Sequence, residues 1–140
     1  MLKEIELSGF KSIKKMKLTF NKINVLIGAN GAGKSNFIEL LKLLISITNN
    51  RLQFYIGRNG GANALLHYGI KTSKQMTAQF RLETEQGISC YGFSLSYAPV
   101  NTMIIEENIN SAQTVQRKVG EESIFFDNWR NKETDEDIRE

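Results

Sequence analysis

The sequence has few of the residues that build disulfide frameworks and metal sites. Its 140 residues include one cysteine, Cys90, and one histidine, His67. A single cysteine excludes an internal disulfide framework and fits a reducing cytoplasm, where we expect the protein to act. Cys90 lies in an alternating apolar pattern, which indicates packing rather than reactivity. A lone histidine without a carboxylate or cysteine partner cannot build a metal site, so we interpret His67 as a packing or surface residue.

Long apolar runs are also missing. The longest apolar stretches are far shorter than the ~20 residues that cross a bilayer, so we expect no membrane span. The opening MLKEIELSGF alternates charged with apolar residues, which is unlike a signal peptide. Hydrophobic residues make up 41% and charged residues 24%, as in ordinary globular proteins. The length fits one domain or a part of a larger one.

Charge is unevenly distributed along the chain, although the net charge is only +3. Residues 1–42 contain eight lysines against three glutamates, whereas residues 133–140, ETDEDIRE, are mostly acidic. A basic front could meet the phosphates of a nucleotide or of nucleic acid. For most of these lysines we favour the simpler interpretation, which is that they keep exposed strand faces in water.

Apolar periodicity predicts the order of the elements. Residues 4–7 and 15–20 alternate as two strands, and INVLI at 23–27 is nearly all apolar, as in a strand buried on both faces of a parallel or mixed sheet. From Lys34, apolar residues recur at helical spacing and predict a mostly buried helix of about four turns, ending near Asn49–Asn50.

The second half of the chain predicts a loop followed by an antiparallel meander. GRNGGANALLHYG at 57–69 is typical of a loop with a short helical or apolar insert. Alternating strands follow from residue 77, with a turn at Gln86–Gly87, and the stretches MIIEENI and TVQRKV predict the third and fourth strands.

Residues 28–35, GANGAGKS, satisfy the phosphate-loop pattern G-x-x-x-x-G-K-[ST] between a buried strand and an apolar helix. Glycines let consecutive N–H groups curl around phosphate oxygens, and the helix start adds unpaired donors and partial positive charge. The lysine would reach the β- and γ-phosphates, and the Ser35 hydroxyl would coordinate Mg²⁺. We predict that a nucleoside triphosphate is bound by Gly28, Gly31, Ala32, Gly33, Lys34 and Ser35.

GTP specificity is unsupported. GTP-binding proteins carry D-x-x-G and N-K-x-D after the loop, and no D-x-x-G occurs in this sequence. The imitation of N-K-x-D at residues 21–24 precedes the loop, and the one at residues 131–134, NKET, lacks the aspartate that would read guanine.

The stretch IELSGFKSIKKMKLTFNKINVLIGANGAGKSNFIELLKLL resembles the N-terminal half of an ATPase head in the SMC/RecF-like branch of ABC-type ATPases. More narrowly, it resembles bacterial AAA-type ATPases related to the OLD family. The likeness rests on the turn G-F-K-S-I, on the loop N-G-x-G-K-S-N with Asn36 after the serine, and on LLHYG followed by antiparallel strands and I-x-E-E. It is strong over residues 1–45, moderate to about residue 110 and absent beyond.

The resemblance implies an α/β fold of the P-loop NTPase class. The chain would be the N-terminal lobe of an ABC-ATPase-like head, with a mixed core sheet, a buried helix and an antiparallel β-subdomain, and the head would be incomplete. We expect a P-loop core lobe, a loop or short helical insert, a β-subdomain, and a charged tail or the start of a helical region, at residues 1–50, 51–74, 75–120 and 121–140.

The resemblance also implies the ligands. ATP and Mg²⁺ would be the cofactors, and ATP would be sandwiched between two heads, in a homodimer or with a partner subunit. Asn30 would approach the γ-phosphate, Asn36 would belong to the nucleotide-binding residues, and Lys11 and Ser12 would lie near the nucleotide. An ordinary strand-to-strand turn is an equal alternative for Lys11 and Ser12.

The parts that complete an ATPase are not recognisable. The Walker B form hhhh-D-E is imitated at Met103–Glu107, after an antiparallel meander and with glutamate as its first acid, and at Ile124–Asn128, without the second acid. We interpret both as structural. No S-G-G signature follows the loop, and the Q-loop glutamine cannot be chosen among Gln75, Gln79 and Gln113.

We therefore assign no catalytic residue and expect the lobe alone to bind Mg-ATP weakly and to hydrolyse it hardly at all. An incomplete head should also expose apolar surface. Two other functions stay open: a nucleic-acid-binding module in DNA repair or phage defence, and a regulatory scaffold whose degenerate lobe pairs with a complete subunit.

Overall fold

The computed structural model describes residues 1–21, 34–98, 102–110 and 113–120. Nine helices and strands lie within these ranges. In chain order they are β1 (Leu2–Phe10), β2 (Ile13–Thr19), α1 (Lys34–Thr48), α2 (Leu52–Arg58), α3 (Gly61–Leu65), β3 (Gln75–Thr84), β4 (Gly87–Ala98), β5 (Thr102–Ile109) and β6 (Gln113–Lys118).

The six strands form one sheet in the order β2-β1-β3-β4-β5-β6, and every neighbouring pair is antiparallel. β1 lies between β2 and β3, because Leu7 is opposite Met16 on one side and opposite Ala78 on the other. The first two strands of the chain therefore share a sheet with the later meander. No parallel pair occurs among the described strands, and the strand expected at residues 23–27 lies outside them, so the mixed core sheet stays a prediction.

The helix and the four meander strands expected after residue 34 are confirmed, but α2 was not predicted. α1 is also less buried than expected, since Ile38 and Ile45 are exposed. α1 begins at Lys34 and ends at Thr48, and the four strands of the meander follow as predicted. The insert predicted at 57–69 contains the end of α2 and all of α3, which meet at Gly60. Gly60 has φ 96°, and a Cβ there would lie 2.8 Å from Ala64 Cβ, so glycine alone fits this junction. The division of the chain into four ranges stays a prediction, and its last range lies outside the described residues.

One face of the sheet carries the apolar core. Alternate residues of β1, β3, β4 and β5 point to this face and are buried, as strand geometry requires. The inward side of α1 joins the same cluster through Leu40, Leu43 and Ile47, which are fully buried. Near the start of the same helix, Phe37 packs against this cluster, and its ring stacks on Phe20 with centroids 6.1 Å apart.

A buried ion pair interrupts this core at the β5–β6 end. Glu107 points inward and is only 1% exposed. Arg117 on β6 donates to its Oε1 from Nη2 at 2.6 Å and from Nε at 3.2 Å, and the Tyr91 hydroxyl donates to its Oε2 at 3.3 Å. Burial, together with the charge of Glu107, raises the pKa of Tyr91. Two charges removed from water depend on each other, so losing one partner leaves the other buried and uncompensated.

We predict that Arg117→Met lowers the free energy of unfolding by about 3 kcal/mol, because Glu107 loses its buried counter-ion. Lys17→Met is the matched control, since Lys17 also lies on a strand and lies 3.6 Å from Glu6, but its side chain is 61% exposed. That change should cost less than about 1 kcal/mol. Urea unfolding measures both, and equal losses would contradict the assignment.

A second polar contact joins α1 to α2. The Tyr55 hydroxyl donates to Glu39 Oε2 at 2.6 Å and lies 3.1 Å from the Glu39 backbone oxygen. This hydrogen bond lowers the pKa of the Glu39 carboxyl, and the positive charges of Lys42 and Lys11 lower it further. Burial and the same carboxylate raise the pKa of Tyr55. The ionised form of Glu39 therefore holds the two helices together.

We predict that Tyr55→Phe costs about 1 kcal/mol of unfolding free energy at neutral pH. Because the folded pKa of Glu39 lies below its unfolded value, its contribution is fully present above the unfolded pKa, about 4.3, and is lost as the pH falls through the folded pKa. The difference between wild type and variant should therefore shrink in acid. Urea unfolding between pH 7 and pH 3 tests this, with Tyr68→Phe on the exposed Tyr68 as control. A pH-independent difference would contradict it.

Candidate functional site

The candidate site begins at the first turn of α1. Lys34 is the first residue of the helix, Ser35 is exposed and Asn36 is half-buried. The N-terminus of a helix presents N–H groups without helical partners and a partial positive charge. This first turn contains no acidic side chain, so nothing in it opposes an anion. Residues 28–33, the rest of the predicted phosphate loop, lie outside the described residues, and their roles stay predictions.

The turn between β1 and β2 lies beside this helix start. The Asn36 side-chain amide donates a hydrogen bond to the Ser12 hydroxyl, which places Ser12 next to the first turn of α1. Lys11 is close enough for its charge to lower the pKa of Glu39 on the helix. The predicted site residues Lys11, Ser12, Lys34, Ser35 and Asn36 are thus brought together. Contact of Lys11 or Ser12 with a nucleotide stays a prediction.

The last residue of α3 and the residues just after it hold the β1–β2 turn from the other side. The Lys11 N–H donates to the Leu65 carbonyl, and the His67 N–H donates to the Gly9 carbonyl, both at 2.9 Å. His67 Nδ1 lies 2.7 Å from the Lys11 carbonyl oxygen. A carbonyl can only accept, so Nδ1 carries the proton. These bonds hold Lys11 at φ 50°, a left-handed conformation uncommon for lysine.

His67 is the residue of this region whose role sequence reasoning missed. It is 8% exposed, which agrees with a packing residue, but it also fixes the turn that carries Lys11 and Ser12. Its partner is a backbone carbonyl 56 positions away. No side-chain pattern marks such a contact, so only the folded chain places it.

The imitations of a Walker B motif lie away from this region of the chain or outside the described residues. Met103–Glu107 belongs to β5, which pairs antiparallel with β4 and β6. Glu106 is exposed on the outer face, and Glu107 is held by Arg117. The structural interpretation of this stretch agrees with that arrangement. The second imitation, Ile124–Asn128, is not among the described residues.

The remaining candidates stay unassigned. Gln75 donates to Ser96 at 3.2 Å and Gln79 is exposed on β3, so neither is marked as a Q-loop glutamine. The side chain of Gln113 is not among those that the structure describes. Cys90 is half-buried on β4. Within the described ranges, no cluster of three histidine, cysteine or acidic residues could hold a metal. Coordination of Mg²⁺ by Ser35 stays a prediction.

Comparison with known families places the chain. The family described as AAA ATPase domain matches residues 1–139. The chain belongs to the AAA ATPase domain family. The matched range contains the phosphate-loop pattern, the helix α1 and the whole antiparallel sheet.

Individual relatives of this AAA ATPase domain match shorter stretches. The chain is 46% identical over 44 residues to the DNA replication and repair protein RecF of Clostridioides difficile, which is 31% of the chain and 12% of that protein. It is 38% identical over 71 residues to structural maintenance of chromosomes protein 3 of Arabidopsis thaliana, 49% of the chain and 6% of that protein. An ATP/GTP phosphatase of Helicobacter pylori is 28% identical over 96 residues, 61% of the chain and 26% of that protein. The chain thus spans a minor part of each relative's length.

A solved structure shares the fold of the domain. It comes from work on ATP-driven dimerization and DNA-stimulated activation of SMC ATPases, and it aligns with a TM-score of 0.59 over 84% of this chain and 70% of that chain. The sequence identity is 22%, so the likeness concerns the fold. The predicted relationship to SMC/RecF ATPase heads is confirmed. No helix in the described part of the AAA domain is long and apolar enough to cross a bilayer.

We predict that Ser12 and Asn36 are energetically coupled, because their hydrogen bond joins the β1–β2 turn to α1. A double-mutant cycle with Ser12→Ala, Asn36→Ala and both should give about 1 kcal/mol of coupling in urea unfolding. The exposed pair Gln75 and Ser96 supplies the control cycle within the sheet and should give a smaller value. Coupling indistinguishable from zero at Ser12 and Asn36 would contradict the contact.

Proposed function

We propose that this AAA ATPase domain is the ATP-binding part of an SMC/RecF-like ATPase and binds Mg-ATP through GANGAGKS. The observation that carries the proposal is that Lys34 and Ser35 open a 15-residue helix directly after the glycine-rich segment. In this position a lysine, a hydroxyl and the backbone N–H groups of a helix start would face the same ligand. The absence of acidic side chains from that turn fits an anionic occupant.

In this proposal, each residue of the phosphate loop has a different role in binding Mg-ATP. Lys34 would hold the β- and γ-phosphates as a point charge, and the N–H groups of Gly31, Ala32 and Gly33 would surround the phosphate oxygens. Ser35 would coordinate Mg²⁺, which neutralises phosphate charge. Gly28 would give the loop its turn, and Asn30 would approach the γ-phosphate.

The turn at Lys11 and Ser12 would complete the site from the side of the sheet. Its support is the contact between Ser12 and Asn36, which fixes the turn one residue beyond the proposed magnesium ligand. The Leu65 carbonyl holds Lys11 through its backbone N–H. The Lys11 ammonium lies 5.9 Å from the centroid of the neighbouring Phe10 ring, and in the proposed complex it would turn from there toward phosphate. The role proposed for Lys11 and Ser12 therefore depends on ATP binding at GANGAGKS.

We also propose that nucleotide binding closes a head dimer and that hydrolysis needs groups beyond these residues. The structural neighbour is described in terms of ATP-driven dimerization, which supports the dimer. Glu106 and Glu107, the acids that imitate Walker B, lie on an antiparallel strand, and Glu107 is already neutralised by Arg117. The AAA domain alone should therefore bind ATP but hydrolyse it hardly at all.

The nucleic-acid alternative has less support in the described residues. A basic surface binds phosphates through uncompensated charge. Lys17 lies 3.6 Å from both Glu4 and Glu6, and Lys3 lies 3.0 Å from Glu83. These pairs lower the positive potential of the outer sheet face, so we place ATP before DNA as the ligand.

We predict that purified chain binds Mg-ATP and that Lys34→Ala weakens binding at least ~10-fold, since a buried phosphate contact of this kind is worth more than about 1.4 kcal/mol. Lys14→Ala is the control, because it removes the same charge from the exposed face of β2. Isothermal titration calorimetry with and without Mg²⁺ measures the affinities, and Ser35→Ala should remove most of the Mg²⁺ dependence.

The same samples test the remainder of the proposal. Phosphate release should stay at background for the isolated chain. Equal affinities of the Lys34 and Lys14 variants would contradict the ATP site. Rapid hydrolysis that depends on Lys34 would contradict the need for further groups.

A further inference from the structure

A groove that exposes two apolar side chains among polar and basic residues lies along α1 and α2. Ile45 and Phe54 line it although they are 57% and 76% exposed. Its volume is about 850 Å³. Lys42, Arg51 and Arg58 line the same groove, and no acidic side chain is among its lining residues. We call this surface the α1–α2 groove; its chemistry fits an apolar segment that carries negative charge.

The described chain ends at the rim of this groove. After β6, the Val119 N–H donates to the Met103 carbonyl at 2.9 Å, which keeps the backbone on the sheet. Gly120 then turns with φ 109°, and a Cβ there would lie 2.9 Å from Gln53 Oε1. Gln53 itself lines the α1–α2 groove. Gly120, the last described residue, therefore lies beside a residue that lines the groove.

The residues that follow have the composition that the groove requires. Residues 121–129 read EESIFFDNW, with Ile124, Phe125 and Phe126 in succession and acidic residues on both sides. Residues 121–140 contain eight acidic side chains against three basic ones. Gly120 and Phe54 line one common cavity, and four residues of extended chain span up to ~14 Å, so a segment that begins at residue 121 can reach Phe54.

We propose that residues 121–129 dock in the α1–α2 groove of their own chain. The apolar triplet covers Ile45 and Phe54, and the flanking carboxylates face Arg51 and Arg58. Covalent connection at Gly120 raises the local concentration of this segment above that of any free partner, and opposite charge favours it over a second copy of the basic groove. The proposal does not depend on nucleotide binding.

Trp129 provides the probe, because it is the only tryptophan of the chain and belongs to the segment. In the full chain we expect blue-shifted Trp129 emission and acrylamide quenching that is at least two-fold weaker than for a free indole. Ile45→Asp and Phe54→Asp should shift the emission to the red and raise the quenching constant toward the free value. Ile88→Asp is the matched control, since Ile88 is also 57% exposed but lies on β4 next to the β3–β4 turn. It should leave both readouts unchanged.

A charge variant separates loss of docking from loss of folding. Arg58→Glu keeps the apolar side chains of the groove and should still raise the quenching constant, with the urea midpoint measured for every variant. Quenching of the wild type equal to that of Ile45→Asp would overturn the proposal. So would shielding that appears only at high protein concentration with a doubled mass, because a second copy would then occupy the groove.

Discussion

The contact between the β1–β2 turn and the first turn of α1 sets the geometry on which the rest of the site depends. A helix start can bind phosphate only if it is held in a fixed position, because its N–H donors must point at the phosphate oxygens. Asn36 and Ser12 join helix to turn, while His67 and Leu65 hold the turn by its backbone at Gly9 and Lys11. The β1–β2 turn is thus fixed on two sides, by the first turn of α1 and by the end of α3 with the residues just after it. Gly9 belongs to the same arrangement, since a Cβ there would lie 2.5 Å from the Gln75 backbone oxygen.

Local patterns in the sequence predicted the elements but not how they meet. The helical spacing of apolar residues after Lys34 predicted α1 to within two residues, because the apolar residues of an amphipathic helix recur about every 3.6 positions. Alternation likewise predicted the strands of the meander. The place of β1 between β2 and β3 could not be predicted, since strand pairing depends on contacts across about 70 residues and carries no local mark. The same holds for His67, whose partner is a carbonyl, and for Arg117, which meets Glu107 diagonally across two strands.

The two polar contacts of the core differ in what they demand. Glu107 and Arg117 are both withdrawn from water, so each is tolerated only because the other is present. Glu39 keeps partial access to solvent and is held by the Tyr55 hydroxyl and by the exposed Lys42. Loss of its charge therefore leaves no buried charge without a counter-ion. Loss of either partner in the Glu107–Arg117 pair would therefore strongly destabilise the fold, whereas the Glu39–Tyr55 contact affects only how tightly α2 packs on α1. α1 therefore contacts the sheet through apolar side chains and contacts α2 through a group that responds to acid.

The position of β2 gives its lysines a use that has nothing to do with phosphate. β2 is the outermost strand at one side of the described sheet, and an outermost strand presents N–H and C=O groups that a strand from another molecule could pair with. Lys14, Lys15 and Lys17 are all exposed on it. Adding a second such strand would bring like charges side by side and would strip water from long ammonium side chains. At this side of the described sheet, the exposed lysines of β2 therefore oppose pairing with a strand of another molecule.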